Sequence, residues 1–280
     1  MVASLSWVSG DDAPPTPFAS NASRDPKGRP LVLPHAVESA IWRGDALGSP
    51  VTRILSSGFE ALDAQLPGGG WPCGSLTEVL QAQATVLEWR LFAPAMRALI
   101  LEGKQIVVVG PPKAPHIPGL VHLGLDERHL VWIHADKPME RLWAIEQLLK
   151  ANAAGMVLGW VPQARQEQIR RLQVSAQSCD APIILFRPAA AAHEASAAPL
   201  RLQARFGIDW ELGIQLLKRK GPSHDTELRL PSIPGGLAEI LTPRLQHPSR
   251  LIAARHFREF SHAVGSTAPA QAAGRSEAAH

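Results

Sequence analysis

The chain has 280 residues, 45% of them hydrophobic and 19% charged, enough for one large domain or two small ones around a buried core. Its 28 lysines and arginines barely exceed its 25 acidic residues, which excludes a uniformly basic nucleic-acid coat but leaves room for a local basic patch. Cys73 and Cys179 cannot supply a disulfide framework or an all-cysteine zinc site, no apolar run approaches the length of a membrane span, and residues 1–10 lack a basic segment leading into an apolar stretch, so a cytoplasmic protein that spans no membrane is expected.

Residues 1–30 are dominated by Asp, Pro, Ser, Ala, Thr and Asn and read as a disordered arm; residues 265–280 read as a second disordered tail. Residues 31–50 carry Val37, Ala40, Ile41 and Trp42 at helical spacing between Pro34 and Gly44, which predicts a short docking helix. From Ser56 onward, short β-rich runs alternate with amphipathic stretches, the pattern of an α/β fold with a mostly parallel central sheet flanked by helices. Strands are predicted over 75–80, 105–109, 130–133, 156–158 and 182–186. Helices are predicted over 86–102, 138–152 and 164–177, with a short one over 116–124; Leu142, Ile145, Leu148 and Leu149 mark the inward stripe of the 138–152 helix. After Phe186 an Ala-rich loop gives way to alternating runs over 200–230, which predicts antiparallel edge strands on the parallel core.

The most informative run is SGFEALDAQLPGGGWPCGSLTEVL, residues 57–80. Its glycines suit a tight turn, and Leu62 with Asp63 suits an anchor before the strand. This run resembles the segment that leads into the phosphate loop of the RecA family. In a working ATPase of that kind the strand runs into G-x-x-x-x-G-K-[ST], whose amides, lysine and hydroxyl hold phosphate and magnesium. Here the corresponding loop is Leu80, Gln81, Ala82, Gln83, Ala84, Thr85 and Val86, with neither glycine nor lysine, and Glu88 adds negative charge near a helix start. Where the resemblance places the catalytic carboxylate the chain has Gly110, Pro111, Pro112 and Lys113, and where it places the Walker-B aspartate it has Gly159, Trp160 and Val161. The resemblance thus implies a RecA-like core without an enzyme's chemistry, a pseudo-ATPase with no cofactor and no metal.

Within that superfamily the chain resembles the ImuA family over about residues 33–230. The resemblance rests on Ile41-Trp42-Arg43-Gly44-Asp45, on Gly58 to Glu78 with Gly68-Gly69-Gly70-Trp71-Pro72, on the degenerate loop, and on Arg201-Leu202-Gln203-Ala204-Arg205 with Leu217-Lys218-Arg219-Lys220. It implies a RecA-like core over 51–235 and a non-catalytic role in SOS-induced translesion DNA synthesis and mutagenesis. The implied partners are an ImuB-type inactive Y-family polymerase, an error-prone DnaE-type polymerase and RecA, near the sliding clamp, with nucleoid association when DNA is damaged. The same degenerate core is similar to that of SulA-like division inhibitors, which implies a tubulin-like division protein as the alternative partner.

Outside the degenerate loop, Lys218, Arg219 and Lys220 form a candidate DNA or inter-subunit patch, with a solvated cationic hairpin as the other reading. Residues 187–199 and Arg165, Arg170 and Arg171 are further basic candidates, Arg170 and Arg171 being expected on an exposed helix face with Glu167. Residues 236–264 read as a C-terminal partner-binding segment: Leu251, Ile252, Phe257 and Phe260 are interleaved with Arg255 and Arg258, which suits an amphipathic partner helix, a basic arm on phosphates, or a helix packed on its own core. His116, His122, His129 and His134 lack metal-ligand spacing, and no G-x-S-x-G occurs.

Overall fold

The computed structural model describes residues 53–84 and 87–253. The chain divides into two units, residues 1–44 and 45–280. The arm, the expected docking helix, Thr85, Val86, Arg255, Phe257, Arg258, Phe260 and the 265–280 tail all lie outside the described residues.

In chain order the elements are β1 (Ile54–Leu55), α1 (Glu60–Asp63), β2 (Trp71–Pro72), β3 (Leu76–Gln81), α2 (Glu88–Leu101), β4 (Ile106–Val109), α3 (Ile117–His122), β5 (Leu130–Ile133), α4 (Pro138–Ala151), β6 (Met156–Trp160), α5 (Gln166–Ala176), β7 (Ile183–Pro188), β8 (Leu200–Phe206), β9 (Glu211–Lys218), β10 (Leu228–Pro231), α6 (Leu237–Ile240) and α7 (Pro243–Gln246). Eight strands make one sheet in the order β10-β9-β8-β3-β7-β6-β4-β5, and β1 and β2 form a separate antiparallel pair. The pairs from β8 through β3, β7, β6 and β4 to β5 are all parallel. Such strands must be covered on both faces, which is why they read as continuous apolar runs.

The period-2 alternation of the strands sorts their side chains between two cores. Val79, Ile106, Val108, Leu158, Ile184 and Phe186 face α2, which brings Leu91, Phe92 and Met96. Leu76, Val107, Val109, Val157, Ile183 and Leu185 face α4 and α5, which bring Ile145, Leu149, Ile169 and Leu172. Each fully buried large side chain stabilises the fold by roughly 1.5–3 kcal/mol.

The antiparallel edge forms as the sequence predicts: β9 pairs antiparallel with β8 and β10 antiparallel with β9, so β9 alone is reversed, while β8 joins the parallel set by pairing with β3. The connection length decides this: residues 189–199 carry the chain back to the amino edge before β8 begins, whereas 207–210 is a hairpin turn. The Gly-rich run folds as expected: Leu62 is buried, and Asp63 accepts the Ser56 hydroxyl at 2.6 Å and the Ser57 amide at 2.8 Å. Among the described residues no helix is long and apolar enough to cross a membrane.

Candidate functional site

Ligands of open α/β sheets bind outside the carboxyl ends of the strands, so the ends of β3, β6 and β7 define the candidate site. Gln81 ends β3, and α2 begins at Glu88. A helix start offers unpaired N–H groups and a positive dipole end, both of which favour an anion. Here the chain supplies that anion itself. Glu88 is fully buried, and its Oε1 accepts Gln81 Nε2 at 2.6 Å and Trp160 Nε1 at 3.0 Å. Trp160 stands at the end of β6, with its ring centroid 4.5 Å from that of Phe186 and 6.5 Å from that of Trp89. A phosphate approaching this helix start would meet the Glu88 carboxylate and an indole wall, so these groups do not fit a nucleotide phosphate.

The neighbouring strand ends are closed in the same way. Gly110, just past β4, has φ of +57°, and a Cβ there would come within 2.7 Å of Arg141 Nε. Arg141 reaches in from α4 to donate to Ala135 O at 2.8 Å and Trp160 O at 3.4 Å. A guanidinium bonded to backbone carbonyls thus covers the end of β4.

On the opposite face of β3 lies a cluster that composition did not reveal. Glu78, fully buried, pairs with Arg187 Nη1 at 3.1 Å and Arg201 Nε at 2.6 Å, one arginine from each flanking strand. Arg201 sits directly opposite Glu78 in the ladder. Both arginines also hold the turn after β7: Arg187 binds Ala164 O at 2.8 Å and Glu194 Oε2 at 2.6 Å, while Arg201 binds Glu194 O at 3.0 Å and Ala191 O at 2.6 Å. These contacts satisfy most of the charge of two guanidiniums that would be costly to bury alone. Arg187, at 3% exposure, is therefore withdrawn from the surface of the 187–199 loop.

The other sequence candidates lie apart from this site. Lys218 is opposite Arg201 at the amino edge of the parallel strands, the far side of the sheet from Gln81 and Glu88. Its Nζ donates to Ser196 O at 2.9 Å, and Arg219 donates to Gln65 Oε1 at 3.0 Å, tying the basic run to the loop before the three glycines. Lys220 lines a cleft of about 610 Å³ together with Cys73 and Cys179. Burial pushes the Cys73 thiol up to about 11, with Arg53 opposing, and raises that of Cys179 as well. Neither is an activated thiolate. Arg170 and Arg171 lie exposed on α5 with Glu167, as expected, and Arg171 also crosses to Glu146 on α4, where Lys150 binds at 2.9 Å, because the packed helices bring this carboxylate within reach. Leu251 and Ile252 are in a helical turn over 248–253, with Ile252 46% exposed. Among the described residues no three His, Cys, Asp or Glu side chains are grouped to hold a metal ion.

Glu88 was noticed in the sequence for its charge, whereas its partners Gln81 and Trp160 and the Glu78–Arg187–Arg201 cluster were not anticipated. Their one visible signal is a charged or amide group inside an otherwise apolar strand, as in SLTEVLQ. No protein-family profile matches the chain, and no curated protein does either.

Proposed function

We propose that this chain is a catalytically silent, RecA-like accessory protein of damage-induced translesion DNA synthesis. In that reading it is an adaptor of the ImuA type for an ImuB-type inactive polymerase, an error-prone DnaE-type polymerase and RecA. The observation that carries the silent part is the Glu88 carboxylate at the start of α2, held by Gln81 and Trp160 where an ATPase of this architecture would seat its phosphates. The sheet supports the reading at a coarser level, because the strand entered from the Gly-rich run lies centrally among parallel neighbours. The partners rest on the sequence resemblance alone.

Two measurements test it. The purified full chain should show no magnesium-dependent ATP turnover; turnover above a buffer control overturns the silent reading. A tagged full chain recovered from DNA-damaged cells should bring down a polymerase-like protein or RecA, and a chain ending at Pro243 should lose it. Recovery of a tubulin-like division protein instead would replace the adaptor with a septation inhibitor.

A further inference from the structure

A cleft of about 790 Å³ opens between α1, α2, the end of α3 and the segment after β10. Its floor is one stripe of α2: Arg90, Ala93, Pro94 and Arg97, spaced i, i+3, i+4 and i+7. Two guanidiniums seven residues apart on a helix are separated by about 10 Å along its axis, with an apolar step between them.

Both arginines are half-buried, and neither has a carboxylate partner among the described residues. Arg90 Nε donates to Ser232 O at 2.9 Å, and its Nη2 donates to Trp210 O at 2.7 Å and to Ser232 Oγ. Arg97 Nη1 donates to Leu123 O at 2.9 Å, while its Nε and Nη2 make no hydrogen bond among the described residues. Carbonyls and a hydroxyl orient these groups without neutralising them. Burial pushes the Arg90 guanidinium down, as expected of a desolvated cation with no counter-ion. Elsewhere in the molecule buried arginines are matched: Arg187 and Arg201 have Glu78. The cleft sets two positive charges side by side on one helix stripe against a single acid, Glu60, exposed on its rim.

We propose that this cleft binds an acidic peptide segment of a partner protein, in polyproline-II form, with two carboxylates three residues apart on one face and apolar side chains between them. Three residues of such a chain complete one turn and rise about 9 Å, close to the rise of about 10 Å between Arg90 and Arg97 along α2. The intervening side chains would rest on Ala93, Pro94 and Phe59. A guanidinium with free N–H groups recognises carboxylate with both charge and geometry. Nucleic acid fits less well, because the cations are recessed beside an apolar floor. The cleft's charge balance does not depend on the adaptor reading, so either can fail alone.

The test is fluorescence polarisation of a fluorescein-labelled Ac-Glu-Leu-Phe-Glu peptide with the full chain at low salt. Saturable binding is expected, weakened at least about tenfold when both glutamates become glutamine. Arg97→Glu should abolish binding of the acidic peptide and create binding of a peptide with one glutamate replaced by lysine, Ac-Glu-Leu-Phe-Lys or Ac-Lys-Leu-Phe-Glu, a charge swap that a merely destabilised protein would not produce. Because Arg97 also tethers Leu123, Glu60→Lys provides a second reading from an exposed position: affinity for the acidic peptide should rise several-fold. Equal affinity for the glutamine peptide, or no response to Glu60→Lys, overturns the proposal. So does displacement of the peptide by a single-stranded oligonucleotide, which would make the cleft a nucleic-acid site.

Discussion

The indole nitrogen of Trp160 donates to the carboxylate of Glu88 across 3.0 Å, joining the end of β6 to the first residue of α2, 72 positions earlier in the chain. With Gln81 donating to the same oxygen at 2.6 Å, three separate elements converge on one buried carboxylate. That convergence fixes the entry of α2 onto the sheet while occupying the anion seat of the helix start. One network thus explains a local stability and an absence of room.

Replacing Glu88 by alanine removes the shared acceptor and leaves the Gln81 amide and Trp160 indole buried without it. The expected loss is about 2–4 kcal/mol, combining unpaired donors with a small cavity. Glu88→Gln keeps an acceptor oxygen and should cost clearly less. Urea denaturation followed by tryptophan fluorescence ranks the variants; equal stability of Glu88→Ala and the parent chain would mean that the network adds nothing.

The Glu78 cluster makes a sharper prediction. Glu78→Ala strips the counter-charge from buried Arg201 and leaves buried Arg187 with Glu194 alone, and the cost should be about 3–5 kcal/mol or outright failure to fold. Replacing all three charges together, as Glu78→Leu with Arg187→Met and Arg201→Leu, should recover most of that loss, since an apolar trio avoids desolvating any charge. A triple variant no better than Glu78→Ala would place the importance of the arginines in their hold on the turn at 189–194 instead.

What the sequence disclosed follows from what kind of signal each feature carries. The parallel strands were legible because each is a short apolar run between breakers, and α4 because Leu142, Ile145 and Leu149 repeat at helical spacing. The antiparallel edge was legible from the alternation over 200–230, but alternation reveals a strand and not its direction, so the parallel pairing of β8 with β3 depends on where the 189–199 connection delivers the chain. Glu88 could be read as a charge at a helix start, but its partners come from residues 7 and 72 positions away, and pairing at that range has no local signature. The same holds for Arg201 opposite Glu78, separated by 123 positions. The α2 cleft was invisible because Arg90 and Arg97, read along the chain, look like ordinary solvent-facing charges; only their place together on the floor of one cleft, with carbonyl and hydroxyl partners, sets them apart.

The three consecutive glycines should not be equivalent. Gly69 has φ of +89° but nothing within 4 Å of a would-be Cβ, so Gly69→Ala should cost only the backbone penalty, on the order of 1 kcal/mol. At Gly70 a Cβ would lie 2.5 Å from the carbonyl oxygen of Leu55, rigid backbone of the paired β1 strand. Gly70→Ala should therefore be the more damaging change, by about 1–3 kcal/mol more, and should loosen β1 from β2. Thermal melts of the two variants, with hydrogen exchange at the Cys73 amide that bonds to Arg53 O at 3.0 Å, check both parts. Equal melting temperatures would show that β1 yields without cost.

Stability should depend on acid pH through two surface ties. A hydrogen bond from Lys150, reinforced by Arg171, holds the Glu146 carboxyl below its ordinary value of 4.5, and hydrogen bonds from the Ser249 hydroxyl and amide hold Asp209 below 3.8. Because both folded values are depressed, each carboxylate contributes its full stabilisation above the ordinary value and loses it as pH falls through the folded one. The melting temperature should accordingly be flat from about pH 7 to about pH 5 and decline below that. Glu146→Gln should remove part of the decline by uncoupling α4 from α5. Asp209→Asn should remove another part and release the 243–253 segment from the turn at 207–210, which it joins through the 2.6 Å bond between Ser249 Oγ and Asp209 Oδ2. Hydrogen exchange at about pH 4 in the parent chain should show that segment opening before the α4–α5 contact, because its tie rests on one carboxylate while the helices also share buried Ile145, Leu149, Ile169 and Leu172. An unchanged acid slope in both variants would place the acid sensitivity elsewhere.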